Sequence, residues 1–183
     1  LANIGDDGTD FNPDTDIVPL NELFEIDKWA LSRLNRLVSK VREAYDNYEF
    51  HIVSHEINNF CTIDMSKLYI DITKDRVYVE KKDSKARRSA QTVMYIILSA
   101  LTRLLAPILA FTSDEIWQAM PHISGENKEH VLLNDIPTFE EKYNFAEIEE
   151  KWNKLFDIRD DVMKALEIAR ADKLIGKSLE AKV

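Results

Sequence analysis

Few residues in this sequence have both the type and the spacing that catalysis or metal binding requires. His51 and His55 lie one helical turn apart, a spacing that can chelate a metal ion. No third ligand accompanies them, so a solvent-exposed helix face is the preferred interpretation. Cys61, the only cysteine, falls on an apolar stripe, where a buried structural thiol is expected rather than a nucleophile.

The other polar residues also lack a catalytic arrangement. The four glycines are too scattered to form a phosphate-binding loop. Acidic pairs such as Asp160 and Asp161 lie in polar runs typical of solvated surface, and His122 and His130 have no evident partner. A small enzyme would need a polar pocket with perturbed titratable groups, and the sequence offers no candidate. We therefore expect a binding module without catalytic residues, a metal site or a bound cofactor.

The composition restricts the fold class and the compartment. Of the 183 residues, 45% are hydrophobic and 31% charged, with only four Gly and five Pro, which favours helices because sheet proteins need more turn residues. A single cysteine is typical of a reducing compartment. No apolar run approaches the roughly 20 residues that span a bilayer, and no signal-peptide pattern is recognised. We expect a cytoplasmic protein with no membrane partner.

Charge is distributed unevenly along the chain. The net charge of −9 disfavours a nucleic-acid ligand by itself. However, residues 74–88 contain seven basic and three acidic residues, a local charge of +4, which leaves −13 on the rest of the chain. A positive stripe on an acidic body can still bind phosphates.

Apolar residues recur at steps of three and four along most of the chain, which predicts amphipathic helices. The predicted helices cover about 20–48, 50–73, 84–107, 112–121 and 145–174. The fold class is therefore all-α, a bundle of about five helices. Three tryptophans fall where the bundle core is expected: Trp29, Trp117 and Trp152.

Several residues predict where these helices begin and end. Asp27 can cap an internal restart after a short turn, and Ser84 is the expected N-cap of the third helix. Thr112 with Glu115 matches a capping box for the fourth. The expected stops are Pro107, Pro121 and Gly176.

Three segments are predicted from these elements. Residues 1–18 are expected to be a linker that follows a truncated upstream helix, of which Leu1 to Asn3 remain. Residues 19–175 form the helical domain. Residues 176–183 are expected to begin a further C-terminal segment.

Five stretches, in the right order, resemble isoleucyl-tRNA synthetases of class I and together extend over almost the whole chain. The most specific is the run from Asn59 to Tyr78, NFCTIDMSKLYIDITKDRVY. The others are DKWAL at 27–31 with AY at 44–45 and YEF at 48–50, ARRSAQT at 86–92, APILAFTSDEIW at 106–117 and RADKLIGKSLEA at 170–181. Valyl and leucyl synthetases have a segment similar to the one at 106–117, whereas the run from Asn59 to Tyr78 favours the isoleucyl family.

The resemblance implies a helical bundle that binds the anticodon stem-loop of isoleucine tRNA. The parent enzyme of such a domain is a ligase that joins isoleucine to tRNA with ATP and magnesium, and it carries zinc in its C-terminal part. The HIGH and KMSKS catalytic motifs are not in this sequence, so the chain is expected to be inactive alone. Its expected partners are isoleucine tRNA and the catalytic and C-terminal domains of the same polypeptide. The family is generally monomeric.

The candidate RNA contacts lie in the basic segment. RNA binding needs cations for phosphates, flat groups for stacking and amides or guanidiniums for base edges. By resemblance, the end of the second helix faces the anticodon, which implicates Lys74, Asp75 and Arg76. Along the third helix, Arg88, Gln91 and Tyr95 share one face because they are spaced three and four apart, and Arg87 flanks them. The predicted RNA contacts are Lys74, Asp75, Arg76, Arg87, Arg88 and Gln91.

Two alternatives remain open at this stage. The same domain of a valyl-tRNA synthetase is the main rival within the family. Outside it, a helical protein-interaction bundle could bind a basic partner with its acidic remainder, which predicts an exposed apolar surface.

Overall fold

The computed structural model describes residues 4, 10–177 and 180–181. The chain divides into two compact units, Leu1–Phe145 and Ala146–Val183. The described part is helical and contains no strand, which confirms the all-α prediction. The α-helices are α1 (Pro13–Asp16), α2 (Glu25–Asp46), α3 (Phe50–Asn59), α4 (Asp71–Tyr78), α5 (Lys85–Leu105), α6 (Ala110–Ala119) and α7 (Ala146–Ala171), with a π-helix at Phe60–Ile70 and short 3-10 turns at Leu20–Glu22, Val131–Leu133 and Glu141–Tyr143. Within that part, no helix combines the length and apolarity that a bilayer crossing needs.

The first long helix forms as its periodicity predicts. A 3-10 turn at Leu20–Glu22 precedes α2, and the apolar stripe of α2 is buried, including Trp29 at 1% exposure. Asp27 does not cap this helix, contrary to expectation. Its carboxylate is instead buried inside the bundle, where hydrogen bonds from Tyr69 and Arg76 offset the cost of burying the charge.

The second long helix is continuous from residue 50 to 78 and therefore longer than predicted. It consists of α3, the π-helix Phe60–Ile70 and α4 in direct succession. A π-helix is wider than an α-helix and is uncommon at more than one turn. The charged stretch after residue 73, expected to be a loop, continues the helix to Tyr78, and the loop covers only the residues before Ser84.

The helix α5 is the central element of the first unit and packs against α1, α2, α4 and α6. Ser84 caps it as predicted, since its Oγ accepts the backbone N–H of Arg87 at 3.2 Å. Pro107 follows the last turn, which also matches the prediction. Ala90, Val93, Ile97, Ala100 and Leu104 form one buried apolar stripe along α5, and Tyr95 is buried on a different side of the same helix.

The capping box predicted at Thr112 is wrong. The helix α6 begins two residues earlier, at Ala110, and the carbonyl of Leu109 already accepts the N–H of Ser113 at 2.8 Å. Thr112 therefore lies inside the first turn. Trp117 of α6 is fully buried, as predicted, and its indole N–H donates to the carbonyl of Asn127 at 2.8 Å.

Residues 10–18, expected to be a linker, are part of the folded first unit. They form α1, with Asn12 as its N-cap. Phe11 is fully buried beside Tyr95, with a ring-centroid distance of 5.8 Å. The expectations for residues 1–3 lie outside the described residues, as do residues 5–9 of the predicted linker and residues 178–179 and 182–183 of the segment predicted at 176–183.

The second unit contains α7, which covers most of the predicted span. Trp152, predicted in the core, is half-buried and lies beside Phe156. The helix stops at Lys173 rather than Gly176, because Lys173 takes a left-handed φ of 58°. Its N–H and that of Leu174 donate to the carbonyls of Arg170 and Ala169, the pattern of a Schellman stop.

Candidate nucleic-acid interface

A fully buried carboxylate lies where four helical segments of the first unit meet. Asp27, in the first turn of α2, is 0% exposed and accepts hydrogen bonds from the Tyr69 hydroxyl at 2.8 Å and from Arg76 Nη1 at 3.1 Å. The hydroxyl of Ser89 on α5 donates to the same carboxylate. Burial, together with the nearby Asp27 charge, raises the pKa of Tyr69 well above its usual value, so this phenol remains a donor. This Asp27 cluster joins α2, the π-helix, α4 and α5.

Arg76, one of the predicted RNA contacts, belongs to the Asp27 cluster. Its guanidinium lies 4.7 Å above the centroid of the Phe24 ring and bonds both carboxylate oxygens of Asp27. The side chain is 23% exposed. Arg76 therefore has a structural partner that its position in the sequence did not reveal, and only part of its surface is accessible to a ligand.

Arg87 and Gln91 converge on a second carboxylate, that of Asp10. Arg87 Nη2 lies 2.8 Å and Gln91 Nε2 2.9 Å from Asp10 Oδ2. Burial raises the pKa of Asp10, but the hydrogen bonds and charge of Arg87, with contributions from Lys82 and Gln91, outweigh it and leave that pKa below its usual value. This Asp10 cluster fixes the segment before α1 against α5.

Arg88 contacts the same segment. Its guanidinium donates to the Asp10 carbonyl and to Gln91 Oε1, lies 3.3 Å from Asp16 Oδ2 and stands over the Phe11 ring at 5.9 Å. Gln91 is fully buried.

The shared face predicted for Arg88, Gln91 and Tyr95 therefore exists, but it faces residues 10–17 instead of solvent. As the chain is folded, Gln91 is out of reach of a ligand unless this segment moves away.

Lys74 and Asp75 are exposed on α4, as an RNA contact requires. Lys74 Nζ lies 2.9 Å from Asp71 Oδ1, one turn earlier on the same helix. The hydrogen bond and charge of Asp71 raise the pKa of Lys74, so the amine remains cationic. An exposed pair of this kind is weak, and a phosphate can compete for the amine.

An exposed aromatic residue beside these charges was not among the predicted contacts. Tyr78 ends α4 and is 72% exposed, and Val79 after it is 80% exposed. Lys81 and Lys82 follow in the loop on the surface. Flat, accessible rings next to cations are the usual platform for unstacked RNA bases. One feature of the sequence could have identified Tyr78 as a candidate contact: it is an aromatic residue two positions after Arg76, inside a charged run with no apolar stripe.

Within the described residues, no group of three potential metal ligands forms. His55 bonds Asn59 on its own helix. His122 and His130, which had no evident partner in the sequence, lie beside Glu126 and Asp114 at 3.3 and 3.1 Å. Cys61 is half-buried, and burial raises the pKa of its thiol, which makes it a poor nucleophile.

A charged cleft of about 360 Å³ is lined by α2, α3 and the π-helix and contains three cations and two carboxylates. Arg33 contacts Asp64 at 3.1 Å, and Lys40 contacts Glu56 at 3.2 Å. Because both carboxylates are paired with cations, this cleft does not provide the activated group that the small-enzyme alternative needs.

Comparison with known proteins shows the family to which this domain belongs. Residues 27–183 match the family model described as the anticodon-binding domain of tRNA ligase. Similar curated proteins are the isoleucine–tRNA ligases of Thermoanaerobacter sp. (strain X514), 59% identical over 95% of this chain, and of Petrotoga mobilis, 51% identical over all of it. The chain spans 19% of the length of each. Its sequence, its helical fold and this match together show that the chain belongs to the family of anticodon-binding domains of tRNA ligases.

Proposed function

We propose that this chain binds the anticodon stem-loop of isoleucine tRNA as one domain of an isoleucine–tRNA ligase. The match to the anticodon-binding family over residues 27–183 carries the proposal. The isoleucine–tRNA ligases that resemble it at 50–59% identity favour isoleucine over the valyl alternative. The whole ligase joins isoleucine to tRNA with ATP and magnesium, bound outside this chain together with any zinc, and acts in the cytoplasm as a monomer.

The basic end of the first unit supplies the groups that such a ligand needs. Lys74 and the exposed edge of Arg76 provide cations for phosphates, Asp75 can accept from a base amino group, and Tyr78 provides a ring for stacking. These residues lie within one and a half turns of α4, a span that suits a few nucleotides of a loop.

Arg87, Arg88 and Gln91 have an indirect role, because they hold the neighbouring segment in place. Their hydrogen bonds to Asp10 fix residues 10–16 on α5. Direct RNA contact by any of these three requires that the segment shift on binding, so we assign the first contact to α4.

A titration of labelled anticodon stem-loops tests the proposal. The change in fluorescence anisotropy would be measured with isoleucine and valine stem-loops at low and moderate salt. We expect tighter binding of the isoleucine loop, with log K falling by about 0.7 per phosphate contact on a single strand as log salt rises. Absence of binding at low salt, both to the isolated chain and to the full-length ligase, would refute it.

A further inference from the structure

The carboxylate of Asp10 occupies a site that has the composition of a phosphate-binding site. Arg87 Nη2 and Gln91 Nε2 lie 2.8 and 2.9 Å from Asp10 Oδ2, and Lys82 Nζ lies 3.4 Å from Asp10 Oδ1. A guanidinium, an amide N–H and an ammonium are donors that proteins use to bind phosphate oxygens. Lys82 comes from the loop before α5, and the other two come from its first two turns. We call Lys82, Arg87 and Gln91 the anion cradle.

The carboxylate leaves part of the anion cradle without a hydrogen bond. Arg87 Nε and Asp10 Oδ1 are both buried, and neither has a hydrogen-bond partner within the part of the chain that the structure describes. A buried donor without an acceptor is costly. Arg87 therefore engages the carboxylate with Nη2 alone. A phosphate on the same edge of the guanidinium could accept from Nε and Nη2 together, which is the bidentate arrangement common between arginine and phosphate.

The anion cradle lies next to the proposed RNA surface on α4. Lys82 is 74% exposed, whereas the side chains of Arg87 and Asp10 are 15% and 18% exposed. The helices α4 and α5 pack against each other, and Lys82 follows Tyr78 by four residues, which span at most about 14 Å. A strand of several nucleotides that contacts α4 can therefore reach Lys82 and the edge of the cradle.

The segment that supplies Asp10 is acidic and is anchored by other contacts. Residues 10–16 contain three aspartates and no Lys or Arg. Phe11 is fully buried, and Arg88 donates to the backbone carbonyl of Asp10. The backbone at this point therefore stays on α5 when the Asp10 side chain rotates away. The shift that opens the cradle is confined to one side chain and does not release α1.

We propose that Asp10 is an internal substitute for an RNA phosphate, and that a backbone phosphate of the bound tRNA replaces its carboxylate in the anion cradle. This inference rests on the proposed function. In the absence of RNA, Asp10 neutralises Arg87 and Lys82 and so lowers the affinity of the basic end for polyanions. A purely structural Asp10 makes the opposite prediction, because its removal would loosen residues 10–16 and leave RNA binding unchanged or weaker.

Anisotropy titrations of the isoleucine stem-loop would compare Asp10→Asn with the native sequence in the full-length ligase that contains this chain. We expect Asp10→Asn to bind several-fold more tightly at low salt, with a slope of log K against log salt that is steeper by about 0.7, because the cradle cations are no longer neutralised internally. Equal or weaker binding by Asp10→Asn would overturn the proposal.

Asp14→Asn is the matched control for these titrations. It removes the same charge from the same segment, but Asp14 accepts from the backbone N–H and hydroxyl of Ser124 at 2.8 and 2.6 Å, which lie outside α5. We expect Asp14→Asn to bind like the native ligase. An equal gain in both variants would mean that only the overall charge matters, which also overturns the proposal.

Inorganic phosphate tests the anion cradle in this chain without RNA. Asp10→Asn removes the internal anion, so phosphate should raise the thermal midpoint of this variant more than that of the native chain. The general stabilising effect of phosphate is common to both chains, and the further change Arg87→Gln should abolish the difference. An equal response of Asp10→Asn and native chain would overturn the site. If the native ligase bound no stem-loop while phosphate still distinguished the variants, the proposed function would be wrong and the RNA role of the cradle would fail with it.

Discussion

The carboxylate of Asp27 is fully buried and accepts two hydrogen bonds from Nη1 of Arg76, at 3.1 and 3.3 Å. This pair joins the start of α2 to α4, so the residue that most resembles an RNA contact also stabilises the bundle. A loss of RNA binding in Arg76→Ala alone is therefore ambiguous. Stability and binding have to be measured on the same variants.

Asp27→Ala is expected to lower the free energy of unfolding by about 3 kcal/mol, at the lower end of the cost of breaking a buried ion pair, because Arg76 keeps partial access to water. The Tyr69 hydroxyl also loses its acceptor. Urea denaturation followed by circular dichroism measures the change. Asp71→Ala, which removes the exposed partner of Lys74, is the matched control and is expected to cost less than about 1 kcal/mol. Equal effects of the two would contradict the structural role of Asp27.

Lowering the pH should reduce the free energy of unfolding through protonation of Asp10. Its pKa is held below the ordinary 3.8 because the hydrogen bonds and charge of Arg87 and its neighbours outweigh the effect of burial. A depressed pKa contributes stability that is complete above about pH 4 and is lost as the pH falls through the folded value. Asp10→Asn should therefore reduce stability at pH 7 and make the loss between pH 5 and pH 3 less steep than in the native chain. Urea midpoints across this range test it, and an unchanged slope would count against the prediction.

Phe11→Ala is expected to cost about 3 to 5 kcal/mol, because it empties a fully buried aromatic site beside Tyr95. The measurement also decides whether residues 10–18 belong to the domain. Phe139→Ala, at a ring that is 45% exposed, provides a control of the same chemistry and should cost much less. If Phe11→Ala were as mild as its control, the segment would behave as the linker that the sequence suggested.

The sequence predicted those features that depend on neighbouring residues. Ser84 caps α5 because its hydroxyl needs only the N–H three positions later, and the stripe of α2 places Trp29 in the core. The bonds that hold the candidate site together join residues far apart, such as Arg87 and Asp10, 77 positions distant. Periodicity contains no information on such partners. The orientation of Gln91 and Arg88 was therefore not predictable without the position of residues 10–16.

Local rules also failed where a competing backbone bond was available. Thr112 matches a capping box, but the Leu109 carbonyl accepts the first helical bond and moves the start of α6 back to Ala110. Likewise Lys173 rather than Gly176 takes the left-handed conformation that ends α7. A sequence pattern shows that a residue is able to cap a helix, whereas the backbone hydrogen bonds around it determine whether it does.

Lys74→Gln is expected to weaken stem-loop binding at low salt and to lower the slope of log K against log salt by about 0.7 to 0.9, the contribution of one phosphate contact. Lys154→Gln is the matched control, because Lys154 on α7 also pairs with a carboxylate of its own helix, that of Glu150 at 2.7 Å. Both variants remove one charge and one exposed ion pair. Anisotropy titrations at several salt concentrations distinguish them, and identical slopes would exclude Lys74 from the interface.

Tyr78→Ala should weaken stem-loop binding by about 1 to 3 kcal/mol, the usual contribution of one stacked base, with little dependence on salt. Tyr78→Phe keeps the ring and is expected to bind almost as tightly as the native chain. Since the side chain is 72% exposed, neither change should alter the free energy of unfolding by more than about 0.5 kcal/mol. A loss of binding at constant stability therefore reports direct contact. If Tyr78→Ala bound like the native chain, the RNA would contact α4 through its charges alone, and the predicted stacking platform would be wrong.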